Sequence, residues 1–224
     1  TMATALPLPK FYDPKNARAW GYRSNLQQVC EEAPAARKRF GVKPAASANA
    51  RIHVVGIDWN KDFCFPEGTL YVAGRSGSGA MDDAARFAEF CYRNAALITD
   101  MTMTMDTHFL FQLFFPSFWV DEQGNALSAH TLIATDGAAL ANKGLDGTTL
   151  HASVLPNPAM APLLGVSYEW LCRQVRFYCE ELAKAGKYVL YLWPYHCILG
   201  TDGHALSGIV AEAQAYVSFL RSRQ

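Results

Sequence analysis

Residues 51–66, with the sequence RIHVVGIDWNKDFCFP, constrain the fold of this chain more than any other segment. Their apolar run, residues 52–57, ends at Asp58 and leads into a polar and aromatic turn. Apolar residues at consecutive positions of a short run are typical of a strand buried on both faces, as in the centre of a parallel sheet. Ligands of open α/β sheets bind beyond the carboxyl ends of the strands, so Asp58 is a candidate for chemistry. It can equally anchor the following turn, and this segment alone leaves both interpretations open.

The composition disfavours several classes of protein. The chain has 224 residues, enough for one large domain, and 50% of them are hydrophobic. Its 20 basic residues balance 20 acidic ones, which disfavours nucleic acid and membrane surfaces as partners. No apolar run reaches the roughly 20 residues of a membrane-spanning helix, and the first residues lack the layout of a secretory signal. We therefore expect a soluble, cytoplasmic protein.

The cysteines are scattered and form no CxxC pair. This spacing argues against a zinc knuckle and against a disulfide scaffold, so most of the thiols are expected to be reduced. The six positions are Cys30, Cys64, Cys91, Cys172, Cys179 and Cys197.

The alternation of apolar and periodic segments predicts a parallel α/β domain over residues 51–224. Residues 1–50 are expected to form an extended arm and then a helix over about residues 17–40, which Pro34 can break. The alternation indicates β-α-β units with right-handed crossovers. The expected strands are residues 52–57, 97–105 and 188–192, and the expected helices are about residues 80–96, 167–185 and 204–220.

Residues 109–165 interrupt this alternation. They are aromatic at first and then polar, with turn residues and little periodicity. Long irregular segments in a compact domain are usually lids or binding loops, so we expect an insertion that covers a site. Its histidines, His130 and His151, have no partner at useful spacing and are expected on the surface.

Polar side chains follow each of the three predicted strands. Asp58 ends the first, Asp106 and His108 end the second, and His196 follows the third. Side chains two residues apart on a strand share a face, so Asp106 and His108 can converge. Two histidines and a carboxylate suit zinc, manganese or iron. The other interpretation, two histidines bonded to backbone groups, remains open from the spacing alone.

Three segments together resemble the nicotinamidase branch of the isochorismatase-like cysteine hydrolases. They are residues 54–63 (VVGIDWNKDF), 105–108 (MDTH) and 193–203 (WPYHCILGTDG). The family has a hydrophobic strand ending in Asp, a polar pair before Asp-Phe, an Asp-x-His, and a Trp-Pro-x-His-Cys followed by Gly-Thr and Gly. The resemblance covers roughly residues 51–220 and implies a three-layer α/β/α fold with a mostly parallel sheet, its last strands absent from this chain.

The resemblance also implies a chemistry, the hydrolysis of a small, nicotinamide-like amide through a cysteine thioester. It assigns Asp58 the role of the base that accepts the thiol proton. Phe63 and Trp193 match aromatic residues that flank a flat substrate ring. The metal ligands implied by the resemblance are Asp106, His108 and His196.

The implied metal is a divalent ion, zinc first, with iron or manganese as alternatives. In the family it binds the pyridine nitrogen of nicotinamide. The ligand set there often includes a further histidine about six residues beyond the Asp-x-His. This chain has Phe114 in that region, which leaves the fourth ligand and a preference for pyridines open.

The catalytic lysine and the nucleophilic cysteine of the family have no match in this chain. In the family both follow the helix after Trp-Pro-x-His-Cys, and the sequence ends at Gln224 before either. Lys187 is expected at the opposite end of the sheet, and Cys197 matches a non-nucleophilic cysteine. We therefore expect a complementary polypeptide or a cleaved C-terminal segment to supply both residues. It would also cover the exposed edge of the first strand, so an oligomer is expected.

Two other functions remain open. The chain can be a non-catalytic binding or regulatory subunit that keeps the pocket without the chemistry. It can also be a metal-free hydrolase of the same fold that acts on a different amide or on a vinyl ether.

Overall fold

The structure, a computed structural model, describes residues 5–134, 148–149, 154–186 and 188–223. The chain is a mixed α/β protein that divides into two compact units. The first contains residues 5–107 and 196–223, and the second contains residues between 108 and 195. His151 and Lys187 lie outside the described residues, so the predictions for them stay untested.

Helices and strands alternate along much of the described chain. The α-helices are α1 (Leu26–Phe40), α2 (Lys61–Cys64), α3 (Gly79–Asn94), α4 (Met160–Leu164), α5 (Tyr168–Ala185) and α6 (Gly208–Arg221). The strands are β1 (His53–Gly56), β2 (Asp100–Met103), β3 (Trp119–Asp121), β4 (Leu132–Ala134), β5 (Thr148–Thr149), β6 (Val154–Pro156) and β7 (Leu190–Tyr191). Short 3₁₀ turns lie at Pro14–Arg18, Ala45–Ser47, Pro116–Phe118 and Asp202–His204.

The first unit contains the two strands whose ends carry the predicted acidic residues. β1 and β2 pair in parallel, with His53 opposite Asp100 and Gly56 opposite Met103. Val54, Met101 and Met103 pack against the hydrophobic core of this unit. Both strands therefore present their carboxyl ends at the same edge, as the sequence predicts for the first two strands.

The core of the first unit lies where α6 packs against α1 and α3. One carboxylate is buried within it: Glu212 on α6 accepts hydrogen bonds from the hydroxyls of Tyr22 and Tyr92, the latter at 3.0 Å. Since a buried carboxylate is costly without donors, these two phenols compensate its burial. They join the segment before α1 and helix α3 to α6.

α1 begins later than the sequence predicts and is not broken. Asn25 caps it by accepting a hydrogen bond from the backbone N–H of Gln28 at 3.2 Å, and Gly41 ends it in the left-handed conformation. Pro34 lies inside this helix, and the helix continues to Phe40. Pro34 therefore does not end the helix, although its ring removes one hydrogen bond of the ladder.

The second unit has its own hydrophobic core and its own strands. β3 and β6 pair antiparallel, and β4 lies between β5 and β7. Trp119, Ile133 and Leu192 are fully buried in its core. Ser167 caps α5 and Gly186 ends it in the left-handed conformation, as the sequence predicts.

The second unit departs from the sequence prediction in the pairing of β7 and in the regular structure found within residues 109–165. β7, the third predicted strand, pairs antiparallel with β4, so within the described residues it belongs to a different sheet from β1 and β2. The segment predicted to be an irregular insertion contains strands and buried aromatic residues, among them Phe115 and Phe118. Strand pairing depends on residues distant in sequence, and the apolar β4 offered a partner that periodicity did not reveal.

None of the helices in the described part of the chain has both the length and the apolar character required to cross a membrane.

Candidate metal centre

Asp58 lies at the carboxyl end of β1, in a conformation that is uncommon for a residue with a side chain. Its φ is +57°, in the left-handed region. The hydroxyl of Thr104, just beyond β2, accepts a hydrogen bond from the Asp58 N–H at 3.1 Å and donates to Asp58 Oδ1 at 2.7 Å. Since residues in this region cluster at functional sites, the strain and the double contact point to a positioned carboxylate.

Asn60 fixes the backbone of Asp106. Its side chain is fully buried, and it accepts from the Asp106 N–H and donates to the Asp106 carbonyl oxygen, both at 3.0 Å. The same amide nitrogen donates to the carbonyl oxygen of His204 at 2.8 Å. One side chain thus ties the segment after β1 to the segment after β2 and to the loop before α6.

Asp62 fixes the backbone beside His196. Its Oδ2 accepts a hydrogen bond from the N–H of Cys197 at 2.7 Å, and its Oδ1 accepts from the N–H of Thr69 at 3.0 Å. Gly203 packs so closely on this carboxylate that a Cβ there would overlap it. Cys197 itself has a φ of +47°. The buried Asp62 therefore holds the turn that presents His196.

The predicted ligands Asp106, His108 and His196 come together and form a group that can hold a metal ion. Each offers one ligand atom, and these atoms all lie within 4.8 Å of one another. His196 is buried, and its Nε2 lies 3.2 Å from Asp106 Oδ2. His108, two residues after Asp106, has its ring edge-on to Phe114 at a centroid distance of 4.9 Å.

The donor set of this group fits a divalent metal. Two imidazole nitrogens and a carboxylate oxygen form a hard-to-borderline set that suits zinc, and also iron or manganese. The buried side chains of Asn60 and Asp62 accept hydrogen bonds from the backbone N–H groups of Asp106 and Cys197, and so hold the segments that carry two of the three ligands. Such outer partners fix ligand orientation in metal sites.

The thiol of Cys197 lies in surroundings that disfavour a thiolate. Burial raises its pKa above the ordinary value, and the carboxylates of Asp106, Asp62 and Asp58 raise it further. A thiol with a raised pKa is a poor nucleophile at neutral pH. The chemistry of Cys197 is therefore that of a buried neutral thiol beside the carboxylates.

A cavity of about 610 Å³, here called the Asp58 cavity, opens beside Asp58. Its walls include Trp59, Phe63 and the charged residues Asp83 and Arg86 of α3. This volume is in the range of small-molecule sites. Asp106, His108 and His196 are not among its lining residues, so the Asp58 cavity does not include the metal group.

The two predicted ring-binding residues have different settings. Phe63 lines the Asp58 cavity, and its ring lies 5.6 Å from that of His196. Trp193 belongs to the second unit, where its ring packs on Tyr191 at 4.3 Å and its backbone N–H donates to the carbonyl oxygen of Phe114 at 2.8 Å. Their joint role around a substrate ring stays a prediction.

Asn60, Asp62 and Gly203 lie within the segments that resemble the family, where no role was predicted for any of them. Their signal was their place directly after a strand or in the loop before α6, where polar side chains often hydrogen-bond backbone groups. Thr104 had no signal beyond its place near the end of β2.

Comparison of the chain with protein-family models, with curated proteins and with solved structures finds no match.

Proposed function

We propose that this chain supplies the general base and the metal group of a cysteine amidohydrolase related to nicotinamidases. The observation that carries the proposal is the convergence of Asp106, His108 and His196, together with Asp58 at the end of the neighbouring parallel strand. The proposed fold is the three-layer α/β/α arrangement of that family, to which β1 and β2 contribute two parallel strands.

The proposed metal is zinc, with iron or manganese as alternatives, held by Asp106, His108 and His196. When bound, it would orient the substrate and polarise the atom that it contacts. Asn60 and Asp62 keep the backbone around two of the ligands fixed whether or not the metal is present. The chain therefore contributes a preorganised ligand set.

In the proposed reaction, Asp58 takes the proton of a cysteine thiol, and the sulfur attacks the carbonyl carbon of a small amide. The Thr104 hydroxyl occupies Oδ1, so Oδ2 is the oxygen expected to accept the proton. The C–N bond breaks as the nitrogen takes that proton and leaves as ammonia or an amine. Water then attacks the thioester, giving a carboxylic acid and restoring the thiol.

The nucleophilic cysteine and the lysine of this reaction are proposed to come from a complementary polypeptide or a further segment. Within the described strands, β1 pairs only with β2, and Val55 and Ile57 are 53% and 69% exposed. An open strand edge with exposed apolar side chains is a site for pairing with another strand. The active species is therefore proposed to be an assembly.

Replacement of Asp58 by Asn tests the proposal on the purified assembly. Ammonia release from nicotinamide and benzamide is measured together with metal content. We expect turnover to fall by at least about 100-fold, because general-base catalysis contributes that much or more, while metal content is unchanged. Asp121→Asn, at a carboxylate that ends β3 in the second unit, is the matched control and should retain full turnover. Full turnover in Asp58→Asn would contradict the assignment.

A non-catalytic binding subunit is the second candidate, favoured by one observation. Cys64 at the Asp58 cavity and Cys197 beside the metal group are both buried, and burial raises the pKa of each, so neither is an activated nucleophile for Asp58. In that case the assembly binds metal and amide, but no ammonia is released from either substrate.

A further inference from the structure

The first unit contains a second cavity, of about 760 Å³, here called the Arg221 cavity. It lies at the amino ends of the strands, since Ile52 directly before β1 and Leu97 before β2 both line it. Asp58 follows the opposite end of β1, and six residues of extended chain span roughly 20 Å. The Arg221 cavity is therefore separate from the candidate metal centre and from the Asp58 cavity.

Arg221, the last residue of α6, is a buried cation in the wall of this cavity. It is only 3% exposed. Its Nη1 donates to the carbonyl oxygen of Ala96 at 2.7 Å, whereas its Nε is buried and has no hydrogen-bond partner within the described residues. No described carboxylate forms an ion pair with it, and burial lowers its pKa without a compensating charge. A buried charge without a counter-ion is unfavourable, so an anion bound beside this guanidinium would stabilise it.

The other lining residues favour an anion with an apolar body. Lys43 is a second cation at the wall, and the described lining contains no acidic residue. The remaining wall is largely apolar, with Phe40, Val42, Ile52 and Leu97 among its members. At the nearby end of α1, the carbonyl oxygen of Arg37 already accepts hydrogen bonds from the N–H groups of Gly41 and Val42.

We propose that the Arg221 cavity binds an amphiphilic monocarboxylate, such as a medium-chain fatty acid. The carboxylate accepts hydrogen bonds from the Arg221 guanidinium, whose planar fork suits a carboxylate, and Lys43 adds a second positive charge. The hydrocarbon chain lies against the apolar wall. The largely apolar wall suits a hydrocarbon chain, which an inorganic phosphate ion lacks. This site does not depend on the amidohydrolase proposal.

Titration of the full chain with decanoate, below the concentration at which it forms micelles, tests this assignment by calorimetry and by thermal unfolding. We expect decanoate to bind at least tenfold more tightly than decanol and to raise the unfolding temperature. Decyltrimethylammonium and inorganic phosphate should not bind. Equal binding of decanoate and decanol, binding of phosphate alone, or no binding of decanoate would each overturn the assignment.

Variants locate the site. Lys43→Gln should weaken decanoate severalfold, whereas Lys38→Gln, an exposed lysine of α1 outside the cavity, should leave the affinity unchanged. Arg221→Met should remove the preference for decanoate over decanol. Arg221→Met also loses the hydrogen bond to the carbonyl oxygen of Ala96. If this variant does not fold, the decanoate affinities of Lys43→Gln and Lys38→Gln decide whether the ligand binds in the Arg221 cavity. Equal decanoate affinities for these two lysine variants would place the ligand elsewhere and contradict the proposal.

Discussion

His196 of the first unit and His130 of the second unit each lie within a few residues of a short strand, but the two histidines have different surroundings. In the first unit, His196 is buried and its Nε2 lies 3.2 Å from Asp106 Oδ2. In the second unit, His130 is exposed and its Nδ1 lies 2.7 Å from the hydroxyl of Tyr191. A buried carboxylate, Asp62, holds the backbone beside His196, whereas the His130 N–H donates to the carbonyl oxygen of Leu192. His196 has a carboxylate and a second histidine close enough to share a metal ion, whereas His130 contacts a phenol.

The cores of the units show the same contrast. The first unit buries Asn60, Asp62 and Glu212 with their hydrogen-bond partners. The described part of the second unit buries mainly apolar and aromatic side chains, such as Trp119 and Ile133. Buried polar groups must be satisfied, so they specify one arrangement of the chain around them. The candidate base Asp58 and two of the three metal ligands, Asp106 and His196, belong to the first unit.

The strongest test of this contrast replaces each histidine by alanine. His196→Ala should lower zinc affinity by about two to three orders of magnitude, because each ligand carries a share of a total binding free energy of about 10–16 kcal/mol. His130→Ala should leave zinc affinity unchanged. Both affinities are measured by competition with a chromogenic chelator. Equal losses in the two variants would remove the distinction between the units.

A smaller effect is expected from the residue that holds Asp106 in place. Asn60→Ala should weaken zinc binding by about 10–100-fold, the usual cost of losing an outer partner of a metal ligand. It should also lower the free energy of unfolding by about 1–3 kcal/mol, since the buried backbone groups of Asp106 lose their partner.

Asn125→Ala is the control for Asn60→Ala. Asn125 is exposed in a turn of the second unit, where its side chain donates to Asp121 Oδ2 at 3.2 Å. Urea denaturation and the zinc competition assay should both show changes near zero. Wild-type zinc affinity in a folded Asn60→Ala variant would mean that Asp106 does not need this support.

The smallest expected effect is common to both units and concerns alkaline pH. Burial raises the pKa of Cys91 in the first unit to about 12 and that of Cys179 in the second to about 11. In the unfolded chain these thiols ionise near pH ~8.5, whereas in the folded chain they stay protonated. The unfolded state therefore loses protons first, and the stability that is present below pH ~8.5 is lost progressively as the pH rises towards the folded values.

Urea denaturation at pH 7 and pH 10 measures this loss, which we expect to be about 1–2 kcal/mol per buried thiol. Cys91→Ala should make stability less dependent on pH, although it removes a buried side-chain atom. Cys30→Ala, at an exposed position, should leave the pH dependence unchanged. If the unmodified protein, Cys91→Ala and Cys30→Ala all lost stability to the same extent between pH 7 and pH 10, the buried thiols would not be the cause of that loss.

Local patterns were sufficient for several elements and for the ligand group. Ser167 and Gly186 mark the ends of α5, because a cap side chain and a left-handed glycine act on their own turns. One residue separates Asp106 from His108, so their proximity also follows from local geometry. That His196 can join them was predicted from the strand ends and from the resemblance, and the structure brings the three together.

What the sequence determined by itself was the approximate positions of β1, β2, α3, α5 and α6, and which polar side chains follow β1 and β2. The tertiary structure decided the partner of β7, the positive φ of Asp58 and the burial of Asn60 against Asp106. The physical reason is that propensities and caps act over a few residues. Strand pairing and the satisfaction of buried polar groups depend instead on residues far apart in the chain.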